Sequence, residues 1–240
     1  MPPTDLIFDD GEPLESNRHR IAMNLLIASV HQAFAGRQDY FTGGNMFVYF
    51  SSEQACNRDF KGPDFFVTLD VDGTKERQGW VVWEEGGRYP DAIVELMSPS
   101  TVREDTGRKK EIYERVFSTR DYFVYDPFAP DSLRGWHLGG QGYEELSKSD
   151  RGWLWCESLG LWLGTWEGTV QQEQAIWWRF FDREGNLVLL PEEVAKLEAQ
   201  RAESERQRAE SERQRAESAR LELDALKERL RARGIDPESL

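Results

Sequence analysis

The 240-residue chain carries 44 acidic and 30 basic side chains, a formal charge of −14, with a mean hydropathy of −0.68. This describes one hydrated domain with an appendage and argues against a general nucleic-acid binder, whose affinity rests on Lys and Arg neutralising phosphates. No apolar run approaches a membrane span, Met1 to Asp5 lacks the character of a secretory signal, and Cys56 and Cys156 have no metal or disulfide spacing, so a cytoplasmic enzyme without zinc is expected.

Ile21, Leu25, Leu26, Ala28 and Ala33 recur close to helical spacing, predicting a helix over 16–35 that Gly36 stops. His19 lies near its start, where a partly exposed helical position is expected. Strands are predicted at 45–50, 64–70, 80–83 and 91–97. Pro63-Asp64 opens the second of them, a position where an Asp often does no more than start a strand or turn. Glu95 is harder to explain that way. Ala92, Ile93 and Val94 precede it and Leu96 and Met97 follow, so strand periodicity places its carboxylate inside a buried strand. A charge there is costly unless it is paired or holds a cation.

Two other carboxylates compete. Asp91 shares a strand face with Glu95 but lies roughly 13 Å away at strand rise, too far to share one ion, and reads as a strand-entry residue. Asp70 belongs to the polar end of its strand, with Asp72-Gly73 marking the turn. A helix is predicted over 104–117 with Arg108, Lys109 and Lys110 in its middle. A strand follows over 121–126 and ends at Asp126-Pro127. Strand, helix and strand with a crossover of this length imply a parallel pair in a mixed sheet, hence an α/β (α+β) fold.

After Pro130 the chain turns to short strands rich in tryptophan, at 133–138, 142–146, 153–156 and 159–166, with a hairpin turn predicted at 139–142. Seven of the nine tryptophans lie between 136 and 178, which invites a stacking or sugar-binding reading. Trp alternating with Leu and Gly is also ordinary packing material, and Trp136, Trp153, Trp155 and Trp162 are assigned to a packed hairpin layer. A last hairpin is predicted with its turn at 182–185.

From Pro191 the composition changes again. Arg-Ala-Glu-Ser-Glu-Arg-Gln occurs at 201–207 and again at 208–214, and a third copy degrades at 215–221. Seven residues is the coiled-coil period, but phasing on Leu223, Leu226 and Leu230 puts alanine and glutamate along most of the seam. Either a weak coiled coil or a solvated single helix of roughly 60 Å is expected, stopped by Gly234 to Pro237. The tail does not carry the acidity: it holds 13 acidic and 11 basic residues, leaving the body near −12. The expected organisation is a core over 1–165, a Trp-rich hairpin extension over 166–190 and the heptad helix over 191–240.

Pro63-Asp64, the run Ile93-Val94-Glu95-Leu96-Met97-Ser98-Pro99-Ser100-Thr101, then Asp105 and Lys109 ahead of Tyr113, and finally Asp121-Tyr122-Phe123-Val124-Tyr125-Asp126-Pro127, together resemble the Uma-two family of restriction-endonuclease-like proteins. That family is a branch of the PD-(D/E)XK nuclease superfamily, and the similarity covers about residues 15 to 165. It implies a restriction-endonuclease-like core and a metal-dependent phosphodiesterase, usually paired as a homodimer. One position departs from the superfamily pattern. The lysine expected two residues after Glu95, on the same sheet face, is Met97. The resemblance suggests that Lys109 replaces it. Lys110 points about 100° away on a helix, so only one of the two can reach the site easily.

The residue types suit that chemistry. Asp64 and Glu95 are the candidate ligands for Mg²⁺ or Mn²⁺, since a hard cation binds through one or two carboxylates plus substrate phosphate. Lys109 is the candidate catalytic cation, stabilising charge in the transition state. DNA is the expected partner, held weakly or specifically because only Arg103, Arg108, Lys109, Lys110 and Arg115 offer a basic rim. The alternative is a noncatalytic docking body whose heptad tail recruits a protein partner.

Overall fold

The computed structural model describes residues 6–8, 16–56 and 62–234. It separates into two compact units, residues 1–190 and 191–240. Helix α1 (Asn17–Ala33) is capped by Ser16, whose hydroxyl accepts from the His19 amide. It ends ahead of Gly36, which sits at φ +85°. Ala22, Met23, Leu26 and Val30 form its main buried stripe.

A six-stranded sheet organises the body. Its strands are β1 (Tyr40–Gly44), β3 (Phe65–Leu69), β5 (Ala92–Leu96), β6 (Asp121–Asp126), β7 (Ala129–Gly139) and β8 (Gly142–Glu145), in that spatial order. β5 and β6 are parallel, as the strand–helix–strand pattern implies, and the other pairs are antiparallel. β2 (Val48–Tyr49) and β4 (Trp80–Val81) form a separate small parallel pair, with α2 (Ser52–Cys56) after β2.

Several boundaries differ from the sequence expectation. β1 was not among the expected strands. Here Gly43 lies opposite Phe66, and a Cβ on it would fall 2.1 Å from the Phe66 ring. The strand predicted at 45–50 shrinks to two residues, Asn45 having φ +46°. The one at 80–83 yields to a 3₁₀ turn from Val82.

β9 (Leu154–Cys156), β10 (Leu161–Val170) and β11 (Glu173–Phe181) form a three-stranded sheet. Residue 165 lies inside β10, so the strand runs through the expected boundary between core and extension. β10 and β11 are joined at Gln171 and Gln172, both at positive φ as a tight hairpin requires. Glutamine is not a usual residue there, which hid this turn. One hydrophobic core lies where this sheet and α1 cover one face of the large sheet, through Val94, Leu96, Phe123, Leu163 and Phe180. A second lies on the other face, through Phe66, Ile93, Met97, Tyr113, Tyr122, Val124 and Trp136. The expected packed hairpin layer thus divides: Trp136 belongs to the second core, while Trp153, Trp155 and Trp162 stay partly exposed.

The second unit is a helix over Pro191–Ala232 with no buried residue. Gly234 lies at φ +75°. Residues 235–237 of the predicted stop lie outside the described residues. No helix among the described residues is long and apolar enough to cross a membrane.

Candidate active site

Strand pairing sets the two carboxylates side by side. In the antiparallel ladder of β3 and β5, Phe65 faces Val94, so the next rung outward sets Asp64 opposite Glu95. Residues opposite each other in a sheet project from the same face. The side chains themselves bridge this rung: Asp64 Oδ2 accepts from the Leu96 amide at 2.7 Å, and Glu95 Oε2 accepts from the Asp64 amide at 3.3 Å.

A helix crosses over this pair between β5 and β6. It runs without interruption through Val102–Glu104, Asp105–Lys109, Lys110–Ile112 and Tyr113–Phe117, the second and fourth segments wound as π-helix. In a regular α-helix each fourth residue overshoots the previous one by about 40°. The wider i→i+5 turns reduce that drift, and Asp105, Lys109 and Tyr113 all face the sheet. Lys109 Nζ lies 3.0 Å from Glu95 Oε2 and 2.9 Å from Asp105 Oδ1. Tyr113 Oη donates to Glu95 Oε1 at 2.7 Å.

The electrostatics follow from burial and an excess of acid. Glu95 is wholly enclosed and Asp105 is 1% exposed. Burial pushes the Glu95 carboxyl up to about 7, with Lys109 opposing and Asp64 adding to the rise. Asp64 and Asp105 also rise through burial, with Lys109 opposing in each case. For Lys109, burial works against the ammonium, and Glu95, Asp105 and Asp64 outweigh it, so its pKa lies above the ordinary lysine range. Both members of the Glu95–Lys109 pair therefore move upward, because a single ammonium serves three carboxylates.

The other candidates are placed elsewhere. Lys110 projects toward Trp136, its Nζ 4.9 Å from the ring centroid. Met97 packs in the core on the Glu95 face. Asp91 accepts from the Leu69 amide at 2.8 Å, at the entry to β5. Asp70 lies at φ +55° with Arg88 3.3 Å away. His19 is buried, not partly exposed, with Nδ1 2.8 Å from Ser16 Oγ and its ring 6.1 Å from that of Phe128. Sequence reasoning gave no role to Asp105 or Tyr113. The signal was their spacing, four residues to either side of Lys109.

Asp64 and Glu95 offer the carboxylate oxygens that a hard divalent cation takes. Three carboxylates around one lysine leave this pocket short of positive charge, and oxygen ligands are what Mg²⁺ or Mn²⁺ takes. Among the described residues no ready group of three His, Cys, Asp or Glu ligands is gathered. Two carboxylates are enough for an ion that keeps several waters.

A family model described as "Uma2: Putative restriction endonuclease" matches residues 3–170, more than half of the chain. The chain belongs to that family. A solved structure titled a "putative nuclease belonging to DUF820" from Anabaena variabilis aligns with this chain at 14% identity and a TM-score of 0.44, covering 66% of this chain and 86% of the other. No curated protein matches the chain.

Proposed function

We propose that this protein is a metal-dependent endonuclease that hydrolyses DNA phosphodiester bonds, with Asp64 and Glu95 as ligands for Mg²⁺ or Mn²⁺ and Lys109 as the catalytic cation. The observation that carries this reading is the pairing of Asp64 with a fully enclosed Glu95 across adjacent strands, over which one helix lays Lys109. A bound ion supplies Lewis acidity to the phosphate and a more acidic water. The chain's own part is to fix the two carboxylates by backbone hydrogen bonds and to hold a permanent positive charge where the phosphate gains negative charge. Hydrolysis adds water across one P–O bond and leaves a phosphate monoester and a free hydroxyl.

Arg103, Arg108 and Arg115 are exposed along the crossover helix and provide the positive rim that an acidic body needs to approach DNA. Cutting both strands calls for two copies of the site, which is the reason for proposing a homodimer. A second reading, a noncatalytic docking body that recruits a protein partner, is favoured by the 42-residue helix without a buried residue.

Calorimetric titration with Mn²⁺ and Mg²⁺, beside plasmid cleavage, separates the two. The endonuclease reading expects metal uptake that Glu95→Gln weakens by about tenfold or more, together with loss of cleavage. A wild-type chain that takes up no metal and cuts no DNA supports the docking body instead.

A further inference from the structure

Lys109 is held from two sides. Glu95 Oε2 lies 3.0 Å from its Nζ and Asp105 Oδ1 lies 2.9 Å from it. These two contacts differ in what happens when a cation arrives. Were Asp64 and Glu95 to hold a divalent ion, the charge of Glu95 would be shared with it and the Lys109 ammonium would be repelled, since like charges at such separations interact strongly away from water. Lys109 then needs a second anion, or its long side chain swings outward to solvent.

Asp105 is built to be that anion. It precedes Lys109 by four residues on the same helix, the spacing at which side chains meet. It is 1% exposed, so its charge is little screened. Its backbone is pinned as well: Tyr122 Oη, itself buried on β6, donates to the Asp105 carbonyl at 2.7 Å and ties the widened turn to the sheet. Asp105 Oδ1 is buried without a hydrogen-bond donor of good geometry and lies 2.9 Å from the Lys109 ammonium, so metal ligation is the rival role for this oxygen. Asp64 and Glu95 bridge one rung of the sheet, whereas Asp105 Oδ1 is turned to Lys109.

We propose that Asp105 is a positioning residue that retains the Lys109 ammonium at the site while Glu95 is engaged by the metal, and is not itself a ligand. This rests on the metal-dependent reading above.

The test uses the full chain labelled with ¹⁵N-lysine, in which the Lys109 ammonium signal is assigned by its absence in Lys109→Met. In the wild type the signal persists on saturation with Mg²⁺. In Asp105→Asn, of nearly the same shape but neutral, Mg²⁺ removes the signal, while Mg²⁺ affinity by calorimetry stays within about threefold. For plasmid cleavage kcat falls by about tenfold or more with KM little changed, the pattern for an interaction made only in the transition state. Asp105→Glu, which keeps the charge, recovers part of both and controls for folding.

An Asp105→Asn chain whose Mg²⁺ affinity falls tenfold would show Asp105 to be a ligand and overturn the proposal. So would an ammonium signal that survives Mg²⁺ in that variant. A wild type that takes up no Mg²⁺ overturns the metal-dependent reading and this inference together, whereas wild type and Asp105→Asn binding metal and behaving alike overturns this inference alone.

Discussion

Tyr113 Oη donates to Glu95 Oε1 at 2.7 Å, and both side chains are shut away from solvent. With Lys109 on Oε2, each oxygen of Glu95 has a donor. The phenol also sits edge-on to Tyr122, so aromatic packing fixes its direction. Tyr113→Phe keeps the ring and removes the donor, leaving a buried oxygen unsatisfied at a cost of about 1–3 kcal/mol. It also removes an influence that lowers the Glu95 pKa, so the carboxyl should move still higher. Urea denaturation and a pH titration of the variant check both effects, and an unchanged stability would mean that Oε1 finds another donor.

Lys109 and Lys110 are neighbours with different surroundings, one between carboxylates and the other over an indole. Lys109→Ala should reduce cleavage by about a hundredfold or more and leave metal affinity within a few-fold, because an ammonium is not a ligand. Lys110→Ala should cost little beyond a cation–π contact of about 1 kcal/mol and some phosphate attraction. Asp64→Ala and Glu95→Ala should lose metal binding and cleavage together. Plasmid assays over a range of Mn²⁺ and Mg²⁺ decide it; activity surviving Lys109→Ala but not Lys110→Ala would exchange their roles.

What the sequence made legible follows from what strand periodicity can express. Glu95 announced itself because a carboxylate in an apolar run is expensive, and the run also fixed which sheet face it takes. Asp64 was legible as a motif residue, but its position opposite Glu95 depends on the register between two strands 31 residues apart, which no local pattern encodes. Asp105 stood in the sequence pattern without a role of its own, because only the tertiary fold buries an acid on this charged helix. β1 was missed for a related reason: Gly43 is there to admit the Phe66 ring, a neighbour distant in sequence.

The raised Glu95 carboxyl makes stability depend on pH in a definite direction. An acid whose folded pKa exceeds its unfolded value binds its proton more tightly when folded, so stability falls as pH rises through the window between them. For Glu95 that window runs from the ordinary 4.5 to about 7. Its contribution is on the order of 3 kcal/mol at most. The metal-free protein should therefore lose stability across this range, and Glu95→Gln, which carries no titrating proton, should flatten the profile. Thermal melts from pH 4.5 to 7.5 measure it. Adding Mg²⁺ should oppose the loss toward neutral pH, since a ligand that binds only the folded state stabilises it.

The helix from Pro191 to Ala232 raises the question of what assembles the protein. Its seam is alanine and glutamate over the repeats, and its clearest apolar side chains, Leu221, Leu223 and Leu226, are 65%, 51% and 51% exposed. A seam of that kind buries little apolar area against a second copy, while Glu-to-Arg spacings of three residues, such as Glu203 with Arg206, support an isolated helix by a few tenths of a kcal/mol each, about 0.3. Residues 1–190 form a compact unit of their own with both hydrophobic cores inside it. Truncation after Leu190 should therefore leave the body folded, its melting temperature within about 3 °C of the full chain and its oligomeric state unchanged. Light scattering at matched concentration reads the outcome, and a clean shift from dimer to monomer would show that the leucines at 223, 226 and 230 form a real dimer seam.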